Sequence, residues 1–463
     1  MQKQTIKQPK TNRIGSAAPN ARSAALTVLQ QVLAEGAYTN IAVNKYLRAH
    51  PLADMERRFF TELVYGTVKA AGTLDWYLER CVSRPLGSVA PEILQVLRLS
   101  AYQLLFMERI PASAACNEAV KLARSVSHEG SAKFVNGVLR GLLRKLQAGE
   151  IALPDPQQDD AGYLAVKYYH PRWLVKRWLG PWGKEGTEAL LAFDNSPAPV
   201  CLRTNTLVTT RERLLAALQE AGAEAHASSW CEDGIVCDKL PSLSGMLAKM
   251  QQDFYVQDES SMLVGRAVNP QPGMRVLDLC SAPGGKATHL AQLMRNQGEI
   301  IACDIHEHKL RLIEENARRL GVSCIKTLLN DAGALREEWL GAFDRVLVDA
   351  PCSGMGVLRR RAEARWRKQR KDLKLFPPLQ LAILNNAARY VKEGGRLVYS
   401  TCTIEQAENH YLIEEFLTQN SRWQRVPLAH PLTGETEEEL QLLPQRDGVD
   451  GFYICVLERR QKA

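Results

Sequence analysis

Nowhere in this 463-residue chain are two cysteines spaced C-x-x-C, and no cysteine–histidine cluster has the spacing of a zinc site. The eleven cysteines run from Cys81 to Cys455 and are odd in number. They read as reduced thiols of a cytosolic protein, not as a disulfide framework, and no metal is expected. Long apolar runs are missing, so no membrane span is expected either. The opening MQKQTIKQPKTNRIGSAAPN lacks an apolar stretch and does not read as a secretory signal. Residues 1–20 are read as a disordered basic tail. Two nucleotide signatures are absent as well. No G-x-G-x-x-G follows the first strand-like run, which argues against a dinucleotide, and Cys280 stands where a Walker A loop needs its first glycine.

What is present fits a globular protein of several domains. Hydrophobic residues make up 45% and charged residues 24%, enough for a core that needs no covalent staples. The net charge of +8 favours a polyanionic partner over a basic one, although a mildly basic enzyme of another kind would carry the same charge. Residues 21–146 read as an all-α domain. Leu26, Leu29 and Leu33 fall on one face, as do Ile93, Leu97, Ala101 and Leu104, and as do Phe134, Val138 and Leu142. A proline-containing acidic stretch follows and reads as a linker. Residues 163–272 read as a small α+β module. Its Trp173, Trp178, Arg172, Lys176, Arg177 and Arg203 interleave aromatic with basic character, as single-stranded nucleic acid binders do; an amphipathic helix with tryptophan in the core is the other reading. In residues 273–463, short apolar runs alternate with helical patterns, which predicts a doubly wound, Rossmann-like α/β domain.

In such a sheet, ligands sit at the carboxyl ends of the strands. After the first strand comes DLCSAPGGK, a glycine turn opening a helix whose N-terminus offers free N–H groups. Asp304, Asp331 and Asp349 stand at or just after later strands. For each alone a turn or a cap is the competing reading; together they suit a ligand with hydroxyls, an amine and a positive centre. S-adenosylmethionine has all three. Two thiols also follow strands: Cys352 after RVLVDAP, and Cys402 after GRLVYST. A thiol beside a methyl donor has a chemical use, because addition of a thiolate to carbon 6 of cytosine makes carbon 5 nucleophilic. Asp349 is a candidate for the group near N3. The carbon 5 proton must then leave before the thiolate can be eliminated, so a second group has a task too. Spacing does not say which thiol does which.

The stretches CSAPGGK, DAPCSG followed by VLRRR and ARW, YSTCTIEQAENHYLI and the earlier QDESS resemble the RNA cytosine-5 methyltransferases of the Nop/Sun type. The helical region resembles the NusB-like RNA-binding domain found in the bacterial branch of that family that acts on 16S, small-subunit ribosomal RNA. The resemblance spans nearly the whole chain beyond the tail. It implies that Cys402 is the nucleophile and that Cys352 assists product release, although related DNA enzymes use the cysteine of the P-C motif as nucleophile. It implies that Asp349 positions cytosine or cofactor. It places S-adenosylmethionine on Cys280, Ser281, Ala282, Pro283, Gly284, Gly285, Lys286, Asp304, Asp331 and Asp349. Ribosomal RNA is the implied partner, and a monomer is expected. A transfer RNA methyltransferase and a non-catalytic RNA-binding assembly factor remain alternatives. Ser281 and Asn330 are mild departures from the family pattern. Ala362 and Glu363, where a Pro-Asp is usual, fall in a loop expected to meet RNA, with Arg359, Arg360 and Arg361 expected on phosphate or on the target's neighbours.

Overall fold

The computed structural model describes residues 20–240 and 246–460, so the tail expected at 1–20 lies outside the described residues except for Asn20. Asn20 caps the first helix by accepting from the Ser23 N–H. The chain forms two compact units, Met1–Lys184 with Arg361–Trp366, and Glu185–Arg360 with Arg367–Ala463.

The first unit is all-α, as the 3.6-residue periodicity predicts. Its helices span Ala21–Leu29, Thr39–Ala49, Asp54–Glu79, Pro91–Phe106, Ala112–Val126, Glu129–Gln147 and Asp160–Lys167. Pro91 opens its helix, where a missing N–H costs nothing. Leu26, Leu29, Ile93, Leu97, Ala101, Val138 and Leu142 are all buried in one core. Trp178 is in the interior, which favours the amphipathic-helix reading of its segment, while Arg172 pairs with Asp159 at 2.8 Å.

The short Arg361–Trp366 segment belongs to this unit. Ala362 lies in the helical core, and buried Glu363 accepts from the Thr39 hydroxyl at 2.8 Å. Buried Arg365 donates to the Tyr169 carbonyl at 3.0 Å, and the Trp366 indole N–H donates to the Val68 carbonyl at 2.9 Å. The indole ring lies on Gly72, where an added Cβ would come within 2.1 Å of it; only glycine admits this approach in mid-helix. The expectation that Ala362 and Glu363 face RNA is therefore corrected: both are structural. Glu363→Ala is expected to lower stability by roughly 1–3 kcal/mol, because it strands the buried Thr39 hydroxyl. Urea denaturation of the variant checks this.

In the second unit, strands β1 (Val200–Thr204), β2 (Glu224–Ala227), β3 (Gly234–Lys239) and β4 (Phe254–Val256) form an antiparallel sheet in the order β2-β3-β1-β4. The larger sheet contains β5 (Arg275–Asp278), β6 (Glu299–Asp304), β7 (Ile325–Leu329), β8 (Phe343–Asp349) and β9 (Val391–Thr401). Beyond them come β10 (Trp423–Arg425), a short ribbon of β11 (Leu428–Ala429) and β12 (Thr436–Glu437), then β13 (Leu440–Leu442) and β14 (Phe452–Arg459). The order is β10-β14-β9-β8-β5-β6-β7, with β13 paired to β14. Strands β5 to β9 are parallel and β14 runs antiparallel to β9.

Successive strand residues serve opposite faces. Leu347 and Val398 pack with helices Glu259–Val268, Gly285–Leu293 and Glu307–Arg319. Val346, Val348, Leu397 and Tyr399 pack with helices Phe376–Tyr390 and His410–Gln419. Burial on both faces explains the unbroken apolar strand runs. The pairing of Asp349 with Ser400 brings the carboxyl ends of β8 and β9 level.

Candidate active site

The level strand ends bring the two thiols together. Cys352 Sγ and Cys402 Sγ are 3.3 Å apart. The backbone on either side is fastened by polar groups from the same edge. The residues that follow the two cysteines share a hydrogen bond, Ser353 Oγ to Thr403 Oγ1 at 2.7 Å. The Gly356 N–H donates to the Cys402 carbonyl at 3.1 Å. Thr401 donates to Asn409 Oδ1 at 2.6 Å, and Asn409 donates back to the Thr403 carbonyl at 2.9 Å.

Next to the thiols, Asp349 accepts from Lys286 Nζ at 2.7 Å and from the Ser400 hydroxyl at 2.9 Å. Burial works against the Lys286 charge, but Asp349 outweighs it and holds the ammonium above its ordinary value, with Cys402 adding to the pull. The Cys352 thiol is pushed well up, first by its hydrogen bond to Cys402 and then by burial. Burial likewise pushes the Cys280 thiol well up, which leaves it a poor nucleophile.

The remaining expected cofactor residues line the neighbouring strand ends. Ser281 N–H donates to the Cys303 carbonyl at 2.7 Å, and Asn316 holds the Pro283 carbonyl at 3.0 Å. The Ala282–Pro283 bond is cis. Gly284 takes φ +97° with the Ile313 backbone 3.1 Å from where a Cβ would stand, so the turn is open only to glycine. Gly285 begins the helix that carries Lys286. Asp304 is buried at the end of β6 and accepts from the His306 N–H at 2.9 Å. Asp331 is exposed after β7 and accepts from the Gly333 N–H at 2.9 Å, a turn-forming contact.

Two acids escaped the sequence reading. Asp278 ends β5 and is fully buried. Neither carboxylate oxygen has a well-formed hydrogen bond within the protein, although Ser281 and the Cys280 N–H approach it. Its signal was the strand-end position already used for Asp304. Burial lifts its carboxyl from 3.8 to about 7, helped by the Asp349 charge. A carboxyl raised in this way stabilises the fold at low pH, and that stabilisation is lost as pH climbs through the shifted value. Unliganded protein is expected to lose a few kcal/mol of stability between pH 4 and pH 7, at about 1.4 kcal/mol per unit. Asp278→Asn should flatten that part of the profile, read by denaturation at each pH. The second acid, Glu408, is buried behind Cys352. It accepts from the Ser353 N–H and from Gln380 Nε2, each at 2.9 Å, while its Oε1 has no partner.

Arg359 and Arg360 do not face phosphate, which corrects the expectation for them. Arg359 meets buried Asp450 at 3.3 Å and stacks on Phe193 at 4.1 Å. Arg360 bridges Asp450 at 2.5 Å and Asp258 at 2.7 Å. Of the three, Arg361 alone is exposed. Arg203, expected on nucleic acid, is likewise buried. It donates to the Gly285 carbonyl at 2.5 Å and to the Thr288 hydroxyl at 3.0 Å, so it braces the glycine turn.

Residues 266–458 match a family model described as 16S rRNA methyltransferase RsmB/F. Residues 19–144 match the NusB family, and residues 170–243 match the RsmF/B-like, ferredoxin-like domain. The probable ribosomal RNA small subunit methyltransferase B of Bacillus subtilis is 38% identical over 450 residues, covering 95% of this chain and 99% of that protein. The chain belongs to the family of ribosomal RNA small subunit methyltransferases B. The Synechocystis protein of the same name is 36% identical over 95% of this chain and 99% of its own. The crystal structure of PH0851 superposes on the family fold seen here with a TM-score of 0.83 and 28% identity, covering 95% of this chain and 98% of that one. The helical, ferredoxin-like and α/β parts follow one another in the order expected from the sequence. Among the described residues, no helix is long and apolar enough to cross a membrane, and no group of three or more histidine, cysteine or acidic side chains is arranged to hold a metal.

Proposed function

We propose that the chain transfers a methyl group from S-adenosylmethionine to carbon 5 of a cytosine in 16S ribosomal RNA, through a covalent adduct between Cys402 and carbon 6. The observation that carries this reading is the pair of thiols 3.3 Å apart at the carboxyl edge of a parallel sheet, beside the Lys286–Asp349 ion pair, in a chain of this family. The division into a NusB-like part at 21–146, a small α+β module at 163–272 and a catalytic domain at 273–463 belongs to the same proposal.

The residues present fit the cofactor. The orphaned Asp278 carboxylate suits a cationic group, the Gly284–Gly285 turn allows close approach, and Asp304 is placed for hydroxyls. Bound there, against Cys280–Lys286, Asp304, Asp331 and Asp349, S-adenosylmethionine supplies an electrophilic methyl group. The chain's own groups do the rest. Lys286 places positive charge near Cys402, and a cation beside a thiol favours its thiolate. The thiolate adds to carbon 6, and the electron pair displaced from the 5,6 double bond turns carbon 5 into the nucleophile. Asp349, fixed by Lys286 and Ser400, steadies the N3 side of the ring. After transfer the carbon 5 proton passes to water, the electron pair of the broken C–H bond re-forms the 5,6 double bond, and the carbon–sulfur bond to Cys402 breaks with its electron pair staying on sulfur. Cys352 keeps its proton and hydrogen-bonds the departing sulfur. The target base has to leave its stack to reach these groups.

Incubating the protein with tritiated S-adenosylmethionine and 16S ribosomal RNA tests the substrate. Label is expected in one or more cytosines that become bisulfite-resistant. Label confined to transfer RNA, or none in any RNA, would overturn the reading.

A further inference from the structure

At the edge of the large sheet opposite the thiols lies a cleft of about 510 Å³. Three arginines from three separate places line it: Arg389 near the end of helix Phe376–Tyr390, Arg422 just before β10, and Arg459 at the end of β14. No carboxylate lines the cleft; its other walls include Gln419, Asn420 and Ser421, with Trp423 beneath. None of the three arginines makes an ion pair with the described residues, whereas most guanidinium groups elsewhere on this sheet do: Arg275 pairs with Glu299, Arg396 with Glu458 and Arg425 with Glu414. Three like charges gathered from different elements around one polar hollow repel one another unless an anion joins them. Guanidinium groups match the oxygens of a phosphate in shape as well as charge.

We infer that this cleft is an RNA-backbone exosite: it binds phosphodiester groups of the substrate far from the methylated base. The inference rests on the RNA reading given above. Strand β14 runs from Phe452, whose ring lies 5.3 Å from Lys286 Nζ, to Arg459 at the cleft. At about 3.3 Å per residue those seven steps cover about 23 Å. At about 3.4 Å per phosphate along one strand of a duplex, that distance is on the order of seven nucleotides. An extended single strand covers about twice the duplex distance per nucleotide, so only RNA that ends within about two nucleotides of the target fails to reach the cleft in any conformation.

The test compares wild-type protein with the triple variant Arg389→Gln, Arg422→Gln and Arg459→Gln, and with the single exposed change Arg422→Gln in case the triple does not fold. Each is assayed for methyl transfer to a long ribosomal RNA fragment and to one trimmed to within about two nucleotides of the target. The triple variant is expected to raise KM for the long fragment about tenfold with kcat unchanged, and to leave the trimmed fragment unaffected. The salt dependence of binding to the long fragment should fall by about one unit of slope for each arginine replaced. Arg422→Gln should give a smaller change in the same direction. An unchanged KM and salt slope for the long RNA, with wild-type methylation intact, would overturn the exosite and leave the proposed function standing. Inorganic phosphate provides the last arm: if it binds the cleft while RNA affinity ignores the substitutions, the site serves a free anion and the inference fails.

Discussion

Cys402→Ala protein is expected to transfer no methyl group to RNA, a loss of at least about 10⁴-fold, while still binding S-adenosylmethionine. The size of the effect follows from the chemistry. Without a thiolate at carbon 6, carbon 5 of cytosine stays a poor nucleophile, and no other group at this edge can replace the sulfur. Cys352 is 3.3 Å away in the wild-type protein, and once Cys402 is replaced burial alone still works against its thiolate. Cys280 is held protonated by burial as well. The fold should survive, because Cys402 contributes only part of its surface to the core and its backbone is held by Gly356 and the Thr401–Asn409 bond. Tritium transfer to ribosomal RNA, with cofactor binding measured in parallel by calorimetry, separates loss of chemistry from loss of structure.

Cys352→Ala has the opposite character. Addition and methyl transfer proceed, but the step that frees the enzyme slows, so RNA is expected to accumulate on the protein as an adduct that survives denaturation. A shifted band on a denaturing gel, sensitive to ribonuclease, is the readout. A variant that turns over normally, or one that is inactive with no adduct, would remove the release role from Cys352. Combining the two changes should abolish the band, since the adduct requires Cys402.

The α/β fold and the strand edge where the candidate residues meet were legible because they rest on local patterns. Apolar runs mark β5, β6, β8 and β9, and the rule that ligands meet strand ends picked out Asp304, Asp349, Cys352 and Cys402 without any tertiary information. Periodicity alone also identified the helical unit. What was not legible depends on partners far away along the chain. Arg360 looks like a phosphate ligand until Asp450, ninety residues on, is brought to it. Arg203 looks like a nucleic acid contact until Thr288, 85 residues on, takes its guanidinium. Ala362 and Glu363 look like a substrate loop until Thr39, 324 residues from Glu363, donates to its carboxylate and Ala362 packs into the helical core. Asp278 could have been picked out by its strand-end position, but what marks both it and Glu408 most sharply is tertiary. What singles them out is a buried oxygen without a partner, and burial and partnership exist only in three dimensions. The order of the two thiols lay beyond spacing altogether. The family resemblance alone assigned it.

The central claim is that Cys402 carries the cytosine. Ribosomal RNA containing 5-fluorocytidine tests it most directly, because fluorine at carbon 5 cannot leave as a proton does and the adduct is trapped after methyl transfer. Proteolysis and mass spectrometry of the trapped wild-type complex should find the nucleotide on the peptide containing Cys402, with none on that containing Cys352. A nucleotide on Cys352, or an adduct that persists in Cys402→Ala protein, would contradict the account.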